Sequence, residues 1–286
     1  MATPDRGAEA LDLLARASAL ARHPPLGNYC ALGARLLQTD ALTLAERAYR
    51  AALALAPGHR EAMQGLTGVL QRQGRLEEAR SLLMQMAQAE PDNPHAHQRL
   101  AIMLVQLGDL EAAKQCLRAV VAKYPDFVAA WETLAELLGH RAETADEAKA
   151  ILRRLSHPDQ RNFRATALLG HLLARRGDPA GAKDCFIAAL DIIPGNGDAM
   201  LALCHILDAL GQAAQLAPIH ARYVAAGGSG VIVHNSVAQA LLRVGDAAGA
   251  AEAFSVALVA EPTNEEARTG LAKARAGIAA SPVAAQ

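Results

Sequence analysis

The sequence predicts an all-α fold, an α-solenoid of about seven helix pairs with a further helix at each end. Three observations predict it. Prolines act as a ruler: Pro57, Pro91 and Pro125 are spaced 34 and 34, and Pro194 and Pro262 follow at 69 and 68. Between the prolines, apolar residues fall on two helical stripes per interval. The chain is 52% hydrophobic but only 3% aromatic. That excess is mostly alanine, which packs helices closely, whereas a β-sandwich or barrel wants β-branched and aromatic residues.

The elements follow in order. Ala8–Arg22 reads as an amphipathic helix stopped by His23, Pro24 and Pro25, so residues 1–25 form an N-terminal cap and linker. Seven repeats occupy 26–264. The first starts at Leu26 and sets the frame: Tyr29 at position 4, Leu32 at 7, Gly33 at 8, Leu36 at 11, Ala45 at 20, Tyr49 at 24, Ala52 at 27 and Pro57 at 32. The second starts at Arg60 and the third at Pro94 in the same register. The fourth starts at Val128 and takes one extra residue around Arg141–Thr144 before resuming at Ala148 and Leu152. The fifth starts at Phe163, the sixth at Gly197 and the seventh at Val231. Asn264–Ala279 reads as a closing helix, so 265–286 form a C-terminal cap whose last residues, Ser281–Gln286, are a frayed tail.

Within a repeat, positions 4, 7, 8 and 11 make one apolar stripe and 20, 24 and 27 the second. A glycine near position 15 separates the two helices. In repeat five, Asp178 can cap the second helix and Pro179 suits its first turn. Small residues at 8 and 20 let the paired backbones approach. One pair cannot bury both stripes, so neighbours must stack.

Position by position, this pattern resembles the tetratricopeptide repeat (TPR) family. Position 11 departs from it, being leucine rather than tyrosine-like, and position 4 is aromatic only at Tyr29 and Trp131. The resemblance implies a right-handed α-solenoid of about seven TPR helix pairs with N- and C-terminal capping helices. It also implies a concave groove lined by the first helix of each pair, through positions 2, 5, 6, 9, 12 and 13.

Composition and motifs exclude other classes. Lys+Arg total 28 against 29 Asp+Glu, a net charge of −1, which argues against a protein held on nucleic acid or anionic lipid. The groove mixes signs and lacks a basic stripe or stacking aromatics, so no nucleic-acid partner is expected. The N-terminus has no apolar signal core, and no apolar stretch of about 18 residues lacks charge, so no membrane insertion is expected. Cys30, Cys116, Cys185 and Cys204 lie far apart with no C-x-x-C pair, and read as reduced, buried cytoplasmic thiols. There is no G-x-S-x-G, P-loop or G-x-G-x-x-G. Gly227–Gly230 reads as a flexible connector. His95 and His97 are two apart and do not share a helix face, and His97 and His234 occupy the packing position 4. No cofactor, metal site or catalytic residue is predicted.

The groove positions suggested by the resemblance give the candidate partner-binding residues. Repeats two and three supply Gln64, Gln71, Arg72, Gln98, Arg99, Ile102, Val105 and Gln106. Repeats four and five supply Glu132, Glu136, His140, Arg164, His171 and Arg175. Repeats six and seven supply His205, Asp208, Asn235, Gln239 and Arg243. Position 9 runs Ala34, Gly68, Ile102, Glu136, His171, His205, Gln239, small or apolar first and polar afterwards. Adjacent first helices are about 8–10 Å apart. That spacing suits successive contacts along an extended peptide and is wide for shared coordination of one metal. The lysine–asparagine clamp that other family members use for acidic chaperone tails is absent, as is an asparagine ladder at position 6.

Repeat six departs most. Leu216 replaces the expected alanine, His220 the aromatic, and Pro218 falls early in the second helix. A proline is tolerated only in a helix's first turn, so this helix should start late, near Leu216–Pro218. An irregularity at Gln212–Tyr223 is expected, either as drift or as a partner contact.

The expected function is non-enzymatic: a cytoplasmic scaffold or adaptor for protein–protein interaction, binding a peptide or protein in the groove. The alternative is a substrate-recruiting or accessory subunit of a separate modifying enzyme. A third is a metal-binding or catalytic protein using Glu136, His171, His205 and Asp208. Self-association stays open, because imperfect end caps could let stacks join.

Overall fold

The structure is a computed structural model and describes residues 7–13, 15 and 26–280. Among these residues every regular element is helical. Fourteen of the helices form the expected pairs: α1 Leu26–Gln38 and α2 Leu42–Leu55, α3 Arg60–Arg72 and α4 Leu76–Ala89, α5 Pro94–Gln106 and α6 Leu110–Lys123, α7 Val128–Gly139 and α8 Ala145–Leu155, α9 Phe163–Arg175 and α10 Pro179–Ile192, α11 Gly197–Ala209 and α12 Leu216–Ala225, α13 Val231–Arg243 and α14 Ala247–Ala260. The closing helix, α15, spans Glu265–Ala280. Residues 7–13 and 15 are helical; the rest of the predicted N-terminal helix and the Ser281–Gln286 tail lie outside the described residues. No described helix is long and apolar enough to cross a membrane.

The chain packs as two compact bodies divided between Leu137 and Leu138, inside α7. Each body is a consecutive stack in which a helix packs on the next.

The hinge between paired helices is the left-handed residue at position 15. It is Gly74, Gly108, Gly177, Gly211 and Gly245, with φ from +67 to +83°, and Asp40 (φ 60°) in repeat one. A Cβ makes this region costly, which is why glycine recurs there. Each closes a Schellman turn; Gly74 N–H donates to Gln71 O and Arg75 N–H to Leu70 O. Repeat four has no such residue. Its extra length is absorbed by a 3₁₀ turn at Ala142–Thr144, and a second at Pro158–Gln160 ends on Arg161 with φ 44°.

The caps divide by helix. Asn93, Asn162, Asn196 and Asn264 cap first helices, whereas Asp109, Asp178 and Asp246 cap second helices, each accepting a hydrogen bond from a backbone N–H of the first turn. Pro179 occupies the first turn of α10 as its sequence position predicts.

The core repeats as well. The aromatic at position 24 packs on glycines of neighbouring first helices. In the first body a Cβ added to Gly33 or Gly65 would stand 2.8 or 2.2 Å from the Tyr49 ring. In the second, Phe186 packs on Gly170, and Phe254 lies 2.2 Å from where a Cβ on Gly270 would sit. Gly270 is position 6 of α15, and Asn264 caps that helix, so the closing helix is built like the first helix of an eighth repeat.

Repeat six starts its second helix late. A 3₁₀ turn at Ala213–Gln215 precedes α12, which is 10 residues long where α10 and α14 have 14. Pro218 falls in the first turn of α12. One expectation needs correction, on the cysteines. The Gly227–Gly230 connector begins with a hydrogen-bonded turn. Gly227 and Gly228 donate to Val224 O and Tyr223 O, and Gly228 is buried beneath the Tyr223 ring, 2.3 Å from an added Cβ. The cysteines are all free, but only Cys30 and Cys204 are buried; Cys116 and Cys185 are half-buried.

Candidate functional site: the face of the first helices

The predicted groove residues line the odd-numbered helices, and many are tied to the next odd helix. In the first body Arg72 donates to Leu37 O at 2.7 Å and to Asp40 Oδ1 at 2.8 Å. Gln71 donates to Gln106 Oε1 at 3.2 Å, and Gln98 to Ala129 O at 2.9 Å and Thr133 Oγ1 at 3.1 Å. In the second body Arg243 forks onto both oxygens of Asp208 at 3.0 and 2.7 Å, and Arg175 meets His140 Nδ1 at 3.3 Å. Asn235 donates to Asn264 and Glu266 at 3.2 and 3.0 Å, and Gln239 also donates to Glu266. These contacts join side chains roughly one repeat apart. They set the spacing of the odd helices, and exposed pairs among them add at most about 1 kcal/mol each.

Other groove residues stand open on this face. Among the described residues, Arg99 and Gln64 make no hydrogen bond or ion pair. Ile102 is 38% exposed, and Val105 is half-buried beside it. Positions 6 and 9 of repeats one and two are Ala31, Ala34, Gly65 and Gly68, all small; the Tyr49 ring covers Gly65, which leaves open backbone at Gly68. Beside Gly68 the nearest atom to an added Cβ is Leu37 Cδ2, at 3.9 Å. In the second body His205, Arg164 and His171 are exposed, with His171 edge-on to Phe186 at 4.9 Å. Glu136 is exposed in the first body.

Two predicted groove residues are not on the accessible face. Glu132 is 7% and Asn235 4% exposed, because position 5 lies at the seam with the next helix. The proposed set Glu136, His171, His205 and Asp208 does not gather either. Among the described residues, no three of these bring ligand atoms within 4.8 Å of one another, and Asp208 is held by Arg243. His97 is a packing residue: its Nε2 donates to Pro91 O at 3.2 Å, as Trp131 Nε1 does to Pro125 O at 2.9 Å.

Paired helices in phase, with one side of the odd helices carrying polar ladders, define a helical-repeat fold. The family profile of the tetratricopeptide repeat matches residues 36–92 and 70–138. Two solved structures share the fold. A tetratricopeptide repeat protein from Parabacteroides merdae is 15% identical, with a TM-score of 0.56 over 87% of this chain and 98% of its own. The C-terminal part of a TPR repeat-containing protein from Cytophaga hutchinsonii is 14% identical, with a TM-score of 0.56 over 85% and 99%. No curated protein sequence matches the chain. Residues 36–138 thus match the tetratricopeptide repeat family, and most of the chain shares the fold of tetratricopeptide repeat proteins.

Proposed function

We propose that this chain is an adaptor that holds a peptide or protein partner on the odd-helix face of its first three repeats. Tetratricopeptide repeats are in general scaffolds for protein–protein interaction. The observation that carries the finer reading is the contrast along that face. Gln71, Arg72, Gln98 and Gln106 are joined to neighbouring residues, while Arg99 has no partner and Ile102 is exposed. The tied residues hold the helices in place before a partner arrives, which lowers the ordering cost of binding. The bare backbone at Gly68 lets a partner's main chain lie close. Arg99 then offers a charge-assisted hydrogen bond and Ile102 an apolar anchor. Gln64, Val105 and Glu136 flank this centre within the first body; His140, Arg164, His171, Arg175 and His205 are candidate contacts of the second body by itself.

The reading is non-catalytic and cytoplasmic, with thiols kept reduced. The test is capture from native cytosol by the immobilised full chain, with mass spectrometry of what stays bound. The double variant Arg99→Glu, Ile102→Asp should lose the specific partner while its far-ultraviolet circular dichroism stays unchanged. Equal capture by the variant would remove this face from the proposal. Co-purification of a modifying enzyme would assign the adaptor to that enzyme's complex.

A further inference from the structure

We propose that Cys30, His59 and Glu61 form a site for one divalent transition ion of borderline softness, such as Zn(II). Two helices supply the residues. Cys30 lies on α1, His59 caps α3 and Glu61 stands in the first turn of α3. Cys30 Sγ is 3.7 Å from His59 Nδ1. One ligand atom from each of the three residues lies within 4.8 Å of the others. Donors around a tetrahedral ion with bonds of about 2.0–2.3 Å sit roughly 3.4–3.6 Å apart. The Cys30–His59 edge is therefore close to a coordinating length already. The Glu61 carboxylate is exposed and can swing inward to complete the set.

The donor set selects the ion. Thiolate and imidazole favour zinc or cobalt over magnesium or calcium, which want oxygen. Three protein ligands leave a fourth position for water. That position opens on the side where Glu61 is exposed and His59 half-buried, with Cys30 sealed beneath at 1% exposure. On binding, the Cys30 thiol proton leaves to solvent and the sulfur lone pair goes to the metal. His59 Nδ1 gives its lone pair to the ion and releases the Ala62 N–H, which it now accepts at 3.3 Å. No group changes oxidation state.

The repeat itself isolates this chemistry. The three stations are position 5 of one repeat, the cap at position 34 and position 2 of the next helix. At the last junction they are Asn235, Asn264 and Glu266, joined by amide hydrogen bonds of 3.2 and 3.0 Å. The cap is asparagine at Asn93, Asn162, Asn196 and Asn264. An asparagine would cap α3 equally well. The requirements of the cap therefore do not account for His59, and the first junction alone carries a thiol and an imidazole together.

The test is titration of the reduced full chain with Co(II), read by thiolate-to-cobalt charge-transfer absorption. One equivalent should bind, with displacement by Zn(II) but not by Mg(II). His59→Asn keeps the capping chemistry used elsewhere in the chain, and Glu61→Gln changes an exposed side chain. Each should weaken binding at least about tenfold with the melting temperature retained. Cys30→Ser should abolish the band. Absence of the band in the wild-type chain would overturn the site. So would wild-type affinity in both His59→Asn and Glu61→Gln, whether or not Cys30→Ser folds.

Discussion

His220 Nε2 lies 2.8 Å from His234 Nδ1, in a hydrogen bond that joins repeat six to repeat seven with both rings buried. One ring donates to the other, and Tyr223 packs beside both, 6.2 Å from His220 and 5.7 Å from His234 between ring centroids. His234 Nε2 has no further partner among the described residues. The pair stands where other repeats put an aromatic at position 24 and a packing residue at position 4.

This pair predicts an acid-sensitive junction. Burial, then the facing His234, pushes His220 down to about 4, and burial also lowers His234. The unfolded chain therefore takes up protons first as pH falls. Stability is full above about 6.5, the ordinary histidine value, and is lost between there and about 4. The loss for His220 is on the order of 3 kcal/mol. Urea midpoints measured between pH 7.5 and 4.5 check it. His220→Phe, the residue type at Phe186 and Phe254, should flatten the slope.

Gly65 and Gly68, three residues apart on α3, should respond oppositely to alanine. Gly65→Ala drives a Cβ to 2.2 Å from the buried Tyr49 ring and should cost about 1–3 kcal/mol. Gly68→Ala meets its nearest neighbour at 3.9 Å and should be neutral or stabilise the helix by up to about 1 kcal/mol. Thermal melts of the two variants decide it.

Glu46 on α2 bridges the first two repeats and should be a second pH-sensitive point in a lower window. Burial pushes its carboxyl up, but hydrogen bonds from Arg75, Gln73 and Arg50 outweigh this and bring it down to about 2. Arg75 Nη1 reaches both of its oxygens at 2.8 Å. This stabilisation is present above about 4.5 and is lost as pH falls towards 2. Glu46→Gln should cost about 1–2 kcal/mol at neutral pH, seen in denaturant midpoints, and should reduce the acid dependence below pH 4.5.

The closing helix should be indispensable to repeat seven. Phe254 is 1% exposed because α15 covers it through Gly270. A chain ending at Glu261 would bare that ring and the apolar side of α14. Lowered melting temperature, dye binding to exposed apolar surface and concentration-dependent association should follow.

The helix pairs, the hinge at position 15 and the late start of α12 were legible in the sequence because each rests on local chemistry. Glycine marks a left-handed residue, proline a first turn, and alanine a close approach. The candidate face was legible only as a set of positions. Which of its members are tied could not be read, because Arg72 and Asp40 are 32 residues apart and meet only when adjacent helices stack. Position 5 looked exposed by analogy, but Glu132 and Asn235 turn into the seam. His220 and His234 each read as a lone substitution at a packing position, and their pairing is a property of two repeats together.

By itself the sequence determined the period, the order of helices and the resemblance to a repeat family, because these follow from backbone propensities and from apolar spacing within a single repeat. The tertiary structure decided which polar side chains are joined across repeats, which are buried and which stay exposed. Those outcomes depend on contacts between residues about one repeat apart, and such contacts exist only once neighbouring repeats have packed.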